Sequence, residues 1–126
     1  MANFLIVEDE EQVRVLAESC LQGEGHDTLS ASTVSEALAL LEGDAKVDVL
    51  FTELGLRGNP IAGLDLAVKA AERRPDLKIL YTSGQGVTDG MKALFVEGAA
   101  FLPKPYTIDR LQTSLVVNFG IKPNSR

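Results

Sequence analysis

A doubly wound α/β domain is the fold class this sequence predicts, on three observations. Five apolar, strand-like runs alternate with five stretches of helical pattern along 126 residues. The central run, Val49-Leu50-Phe51, consists of consecutive β-formers with no polar alternation, which suits a strand covered on both faces, as in a parallel sheet between helices. The chain also lacks repeats, low-complexity runs and an internal linker, and its length is that of one ordinary domain.

The elements follow in order. Asn3 to Val7 is a short apolar run that stops at Glu8 and Asp9. The next stretch places Val13, Leu16, Ala17, Cys20 and Leu21 at helical spacing before Gly23 and Gly25. A second strand is expected over His26 to Ala31, with His26 as a turn or strand-start residue. Thr33 and Glu36 form a T-x-x-E capping box that opens a helix ending at Gly43. Val47 to Thr52 reads as the third strand, and the loop LGLRGNPIAG leads into a helix, LDLAVKAAERR, stopped by Pro75. Lys78 to Thr82 is the fourth strand, and SGQGVTDG opens a helix running to about Glu97. The glycines of GQG lack the rest of a dinucleotide fingerprint and do not follow the first strand, so they mark a mobile loop and not a phosphate cradle. Ala99 to Leu102 is a brief fifth strand, PKPY a rigid turn, and TIDRLQTSLVVNF a last amphipathic helix ending at Gly120. Residues 1–120 form the domain; 121–126 read as a polar, frayed tail. Alternation and the crossover rule favour a parallel five-stranded sheet in the flavodoxin-like order 2-1-3-4-5, with five helices.

Composition narrows the function. Hydrophobic residues make up 45% and charged residues 24%, which sets disordered and membrane classes aside. The net charge of −6 argues against a surface held on nucleic acid by phosphate contacts. The lone Cys20 allows no internal disulfide, and the N-terminus lacks a secretory pattern, so a reducing cytoplasm fits best. Cys20 itself, within a helical pattern, reads as a small core residue.

In a parallel sheet the carboxyl ends of the strands share one edge, where ligands bind. Glu53 alone would pass for a solvated loop glutamate. That edge, however, also receives Glu8 and Asp9 after the first strand, Thr82 and Ser83 after the fourth, and Lys104 after the fifth. Three neighbouring carboxylates repel and raise one another's pKa unless a cation or lysine compensates. Hard oxygen ligands without Cys or His point to magnesium or calcium, and few carboxylates beside a phosphate-bearing ligand favour magnesium. With Lys104 and the Thr82 hydroxyl opposite, the edge becomes a cradle for phosphoryl transfer. The plainer role for Lys104 is an internal ion pair with Glu8, Asp9 or Glu53, and both roles can hold in the resting protein.

These separated motifs (LIVEDE, the acidic end of the third strand, ILYTSG and FLPKPY) resemble, over nearly the whole chain, the receiver domain of bacterial two-component response regulators. The resemblance implies Mg2+ held by Glu8, Asp9, Glu53 and the Gly55 carbonyl. It implies a phosphoryl group accepted at position 53 from a kinase histidine and contacted by Lys104 and Thr82. It also implies a cis peptide between Lys104 and Pro105, and Phe101 as a switch aromatic; a buried core phenylalanine is the plainer reading of Phe101. The expected partners are a sensor histidine kinase or phosphotransfer protein, and a second copy of the chain through the fourth helix, fifth strand and fifth helix. A non-enzymatic, stand-alone signalling receiver is expected, with output through protein contacts and no direct nucleic acid or membrane partner.

Two departures matter. The acceptor position holds Glu53 where the family has aspartate, and the following loop is longer than usual, with Arg57 where proline is common. Because every other site position is kept, Glu53 reads slightly more easily as a replacement for aspartate than as an original feature. Its extra methylene works against in-line attack, and its single charge falls short of the roughly 1.5 to 2 of a phosphoryl group. The alternative is therefore a pseudo-receiver, an interaction module locked by Glu53. A magnesium-dependent phosphatase or small flavodoxin-like enzyme is disfavoured, since no second general acid or base stands out.

Overall fold

The computed structural model describes residues 1–123. Its elements are β1 (Asn3–Val7), α1 (Glu11–Gly23), β2 (Asp27–Ala31), α2 (Val34–Glu42), β3 (Val49–Glu53), α3 (Ala62–Arg73), β4 (Lys78–Ser83), α4 (Asp89–Lys92), β5 (Ala100–Pro103) and α5 (Ile108–Phe119). The five strands pair in parallel in the order β2-β1-β3-β4-β5, as the sequence predicts. Alternate side chains of each strand feed two apolar layers. Leu5, Val7, Leu50, Ile79 and Tyr81 pack toward α2 and α3. Phe4, Ile6, Phe51, Leu80 and Leu102 pack toward Ala17 and Leu21 of α1 and Leu111 and Leu115 of α5. Both faces of the strands are thereby buried, which is why β3 needs no polar alternation.

Local signals fix the helix ends. Thr33, Thr88 and Thr107 each accept a hydrogen bond from the amide three residues on, at 3.1 Å, satisfying orphan donors of α2, α4 and α5; such caps contribute about 1 kcal/mol each. Glu36 completes the box by accepting from the Ser32 amide at 3.0 Å, one residue earlier than the cap itself. Helix α5 ends at Gly120, whose φ of 67° lets the Ile121 amide reach back to Leu115 at 3.1 Å. Ile121 also packs on the α1/α5 layer, so the tail begins docked instead of frayed; residues 124–126 of the expected tail lie outside the described residues. The Arg74 guanidinium donates to the carbonyls of Leu41, Gly43 and Ala45, tying the end of α3 to the end of α2.

The expected long fourth helix is a correction. Only Asp89–Lys92 are α-helical, and the chain then tightens, with Leu94 and Phe95 donating to carbonyls three residues back. Phe95 thus takes the Lys92 carbonyl that a continuing helix would offer to the Val96 amide. Val96 donates instead to the hydroxyl of Tyr81 in β4, at 3.1 Å. The Phe95 ring lies 4.4 Å from that of Tyr81, and Phe101 lies 6.3 Å from Phe95. Tyr81, fully buried, therefore holds residues 93–99 on the sheet. A Tyr81→Phe variant is expected to lose about 1 kcal/mol of stability, the net worth of one hydrogen bond, with faster hydrogen exchange at Val96 as the local signature. Unchanged exchange there would show that the hydroxyl does not hold this segment.

His26 sits one residue before β2 and is 4% exposed. Its Nδ1 accepts from the Ala2 amide at 3.0 Å, which requires the neutral ring. Burial lowers its pKa, consistent with that bond. Cys20 is partly buried beside the α1/α5 layer, at its margin and not within it.

Candidate functional site

The carboxyl ends of the strands are level. Val7 pairs with Thr52, Glu53 with Thr82, and Ser83 with Pro103. Glu53 is the last residue of β3 and not the first beyond it. The register delivers Glu8, Glu53, Thr82 and Lys104 to one place, the edge of a cleft of about 350 Å³ lined by Asp9, Gly55 and Arg57 as well as Glu8 and Glu53.

One glycine admits the close approach at this edge and another its turn. Gly63, in the first turn of α3, donates its amide to the Leu54 carbonyl at 2.7 Å, and a Cβ on Gly63 would lie 1.9 Å from the Glu53 carbonyl oxygen. Gly58, with φ 78°, follows Arg57, with φ 52°, in a two-residue turn closed by Leu56 and Asn59. The Lys104–Pro105 peptide is cis.

Lys104 is the hub. Its Nζ donates to Glu8 Oε1 at 2.6 Å and lies 2.8 Å from Glu53 Oε2. The second contact is off the line of a hydrogen bond, so Glu53 Oε2 is a charge partner without an aligned donor. All three side chains are largely buried, at 17, 5 and 13% exposure for Lys104, Glu8 and Glu53. Burial works against the Lys104 ammonium, but the two carboxylates outweigh it and raise its pKa. For Glu53 burial wins over the pull of Lys104, so its pKa is raised. Glu8 Oε2 accepts from the Glu10 amide at 3.2 Å, and the Glu8 carbonyl from Arg14 at 3.0 Å. Asp9 stays outside the lysine's grip. Its Oδ2 accepts the Arg57 amide at 3.0 Å, the main reason its pKa is lowered.

Thr82 is 4% exposed and its Oγ1 has no hydrogen-bond partner. Tyr106 lines the same small space as Thr82 and Glu8, packs tilted against Phe51 with ring centroids 5.8 Å apart, and has its phenol pushed up to about 12 by burial. Phe101 is partly buried and also lines the groove between β5 and α5. The predicted metal ligands share the cleft, yet they are not preset as a triad: among the described residues, no group of three His, Cys, Asp or Glu side chains is arranged to hold a metal ion. The physical reason is that Lys104 draws in Glu8 and Glu53, while Arg57 takes one oxygen of Asp9. The donors still suit Mg2+: three hard carboxylates against one ammonium leave two uncompensated negative charges when all are ionised, and the Gly55 carbonyl is at hand. Sequence reasoning missed Gly63, the Arg57 amide and the Tyr81 hydroxyl, because each acts through a close approach that no spacing rule encodes.

The switch edge of this doubly wound domain gathers three carboxylates, one ammonium and an unpartnered hydroxyl, donors chemically suited to a divalent cation and a phosphoryl group. The particular family is shown by comparison: the response regulator receiver domain model matches residues 4–116, and the chain belongs to that family. It is 34% identical over 109 residues to the response regulator PilR of Pseudomonas aeruginosa, covering 86% of this chain and 24% of that protein. It is 29% identical over 110 residues to an NtrX-like response regulator of Rickettsia felis, covering 86% of this chain and 23% of the relative. The chain thus spans about a quarter of the length of these curated relatives. The crystal structure of a response regulator receiver protein from Sinorhizobium medicae superposes with a TM-score of 0.84, at 25% identity and 94% coverage of both chains.

Proposed function

We propose that this chain is a receiver in two-component phosphorelay signalling in which Glu53 occupies the acceptor position, hinders phosphoryl acceptance and imitates a phosphoryl group only in part. The observation that carries this is Lys104, held between Glu8 and Glu53 with the unpartnered Thr82 hydroxyl on the same edge. Mg2+ would be held by Glu8, Asp9, Glu53 and the Gly55 carbonyl, and would neutralise charge on phosphoryl oxygens. Lys104 supplies the second cation, releasing its carboxylates to meet the phosphoryl group, and Thr82 donates the hydrogen bond it otherwise lacks. The donor is a sensor histidine kinase or a phosphotransfer protein.

The chain acts in the cytoplasm through protein contacts and not as an enzyme in its own right. A second copy is the proposed partner at α4, β5 and α5, where Phe101, Leu102 and Val117 line an open groove beside Asp109 and Arg110. The net charge of −6 disfavours direct nucleic-acid binding, and no helix among the described residues is long and apolar enough to cross a membrane.

Acetyl phosphate with Mg2+ tests the acceptor role. The chain is expected to label about 100-fold more slowly than its Glu53→Asp form, the order of loss that a misplacement near 1 Å brings. Equal labelling would refute the hindrance, and an inert Glu53→Asp form would refute the receiver function. A second reading, a phosphorylation-independent module locked by Glu53, draws on the same closed Lys104 contacts; it predicts that the parent chain does not change conformation with Mg2+ and donor.

A further inference from the structure

Asp9 is anchored by a loop distant in sequence. The amide that occupies its Oδ2 at 3.0 Å belongs to Arg57, 48 residues away. Arg57 is the only non-glycine with positive φ among the described residues, at 52°, and Gly58 follows at 78°. Leu56 and Asn59 exchange backbone hydrogen bonds of 3.0 Å in both directions. Two successive positive φ values inside such a closure define a type I′ turn, which glycine tolerates and arginine does not favour.

The turn is fixed on its other side by the start of α3. Asn59 Oδ1 accepts from the Ile61 amide at 3.1 Å, and the Asn59 carbonyl from the Ala62 amide at 3.3 Å. Pro60 lies against Gly55, 3.4 Å from where a Cβ would stand. A strained residue persists where its surroundings over-determine it, and here the surroundings are a catalytic-edge carboxylate and the loop that carries the Gly55 carbonyl.

We infer that the Arg57 amide is a positioning group for the cation site: it fixes the Asp9 carboxylate by one oxygen, leaves the other for Mg2+, and holds the Gly55 loop at a set distance from the acidic loop. The lengthened loop then has a purpose, since a proline in place of Arg57 would offer no amide at all. Hydrogen bonds that orient a ligating carboxylate commonly matter to metal affinity almost as much as the ligands do. The inference rests on the receiver reading, in which Asp9 and Gly55 are Mg2+ ligands.

Mg2+ titration of the purified chain by calorimetry, with melting curves as a folding control, separates amide from side chain. Arg57→Gly keeps the N–H and relieves the strained φ, and it should bind within about twofold of the parent, whereas Arg57→Pro, which removes the N–H and also opposes φ 52°, should bind about tenfold or more weakly. Gly58→Val keeps the Arg57 amide but opposes φ 78°, and it should follow Arg57→Pro in direction. In NMR spectra the Arg57 amide resonance should shift on Mg2+ addition to the parent. The positioning role is overturned if Arg57→Pro binds like the parent, or if Arg57→Gly loses as much as Arg57→Pro. Should Arg57→Pro not fold, parent-like binding by Gly58→Val overturns it. A parent chain that binds no Mg2+ overturns both this role and the metal part of the receiver reading, whereas a parent that binds while the variants show no difference overturns this role alone.

Discussion

Lys104→Ala should lower the stability of the chain by about 3 kcal/mol at pH 7 without Mg2+, because it leaves Glu8 and Glu53 facing each other in a largely buried site. The lower end of the range for buried pairs applies, since the Lys104 side chain is 17% exposed and water can reach the carboxylates once it is gone. The pH dependence identifies the cause. Burial already raises the Glu53 pKa in the parent, and Lys104 pulls against that rise. Without the lysine the folded-state pKa moves further above its unfolded value of 4.5. A carboxyl that binds its proton more tightly when folded gains stability as pH falls, so the deficit should shrink from pH 7 toward pH 5. Conversely, the raised Lys104 pKa contributes stability to the parent that is complete below the lysine's ordinary value and is lost at alkaline pH. Lys104→Met keeps the aliphatic stem and separates charge from packing. Urea unfolding across pH reads all of this; a Lys104→Ala deficit under about 0.5 kcal/mol, the scatter of ordinary surface changes, would show that the lysine does not hold the edge together.

The parts of this molecule that repeat, alternate or cap were legible in the sequence. The unbroken Val49-Leu50-Phe51 run identified a strand buried on both faces, and Thr33 with Glu36 marked the start of α2. Because parallel strands end at one edge, the places where apolar runs stopped named Glu8, Glu53, Thr82 and Lys104 as neighbours before any distance was known. What remained hidden depends on a single competing contact. Residues 93–97 carry enough apolar character for a helix, but the Tyr81 hydroxyl captures the Val96 amide and the helix stops after one turn. Asp9 looked like one of three equivalent carboxylates, whereas the Arg57 amide sets it apart from the pair on Lys104. His26 gave no sign that it would accept the Ala2 amide, since the partner lies 24 residues away.

Gly63→Ala should be more damaging than its one added carbon suggests, costing about 3 kcal/mol or more, the upper range for overpacking. The added Cβ would sit 1.9 Å from the Glu53 carbonyl oxygen and 2.9 Å from both the Glu53 carbonyl carbon and Leu54 Cα. These are backbone atoms, so no side chain can turn aside; either α3 lifts or the tip of β3 bends. Either movement stretches the 2.7 Å hydrogen bond from Gly63 to Leu54 and displaces Glu53 relative to Lys104. The same substitution at Gly23, at the end of α1, meets nothing within 4 Å and should be neutral or stabilising by up to about 1 kcal/mol. Comparing the two by urea unfolding holds the chemistry constant and varies only the space. The site is tested by combination with Lys104→Ala. If Gly63→Ala already pulls Glu53 from the lysine, the two losses share a cause and the double variant should lose less than their sum by about 1 kcal/mol or more, the coupling expected of contacting groups. Strict additivity would mean that the helix yields while the strand tip, and Glu53 with it, stays in place.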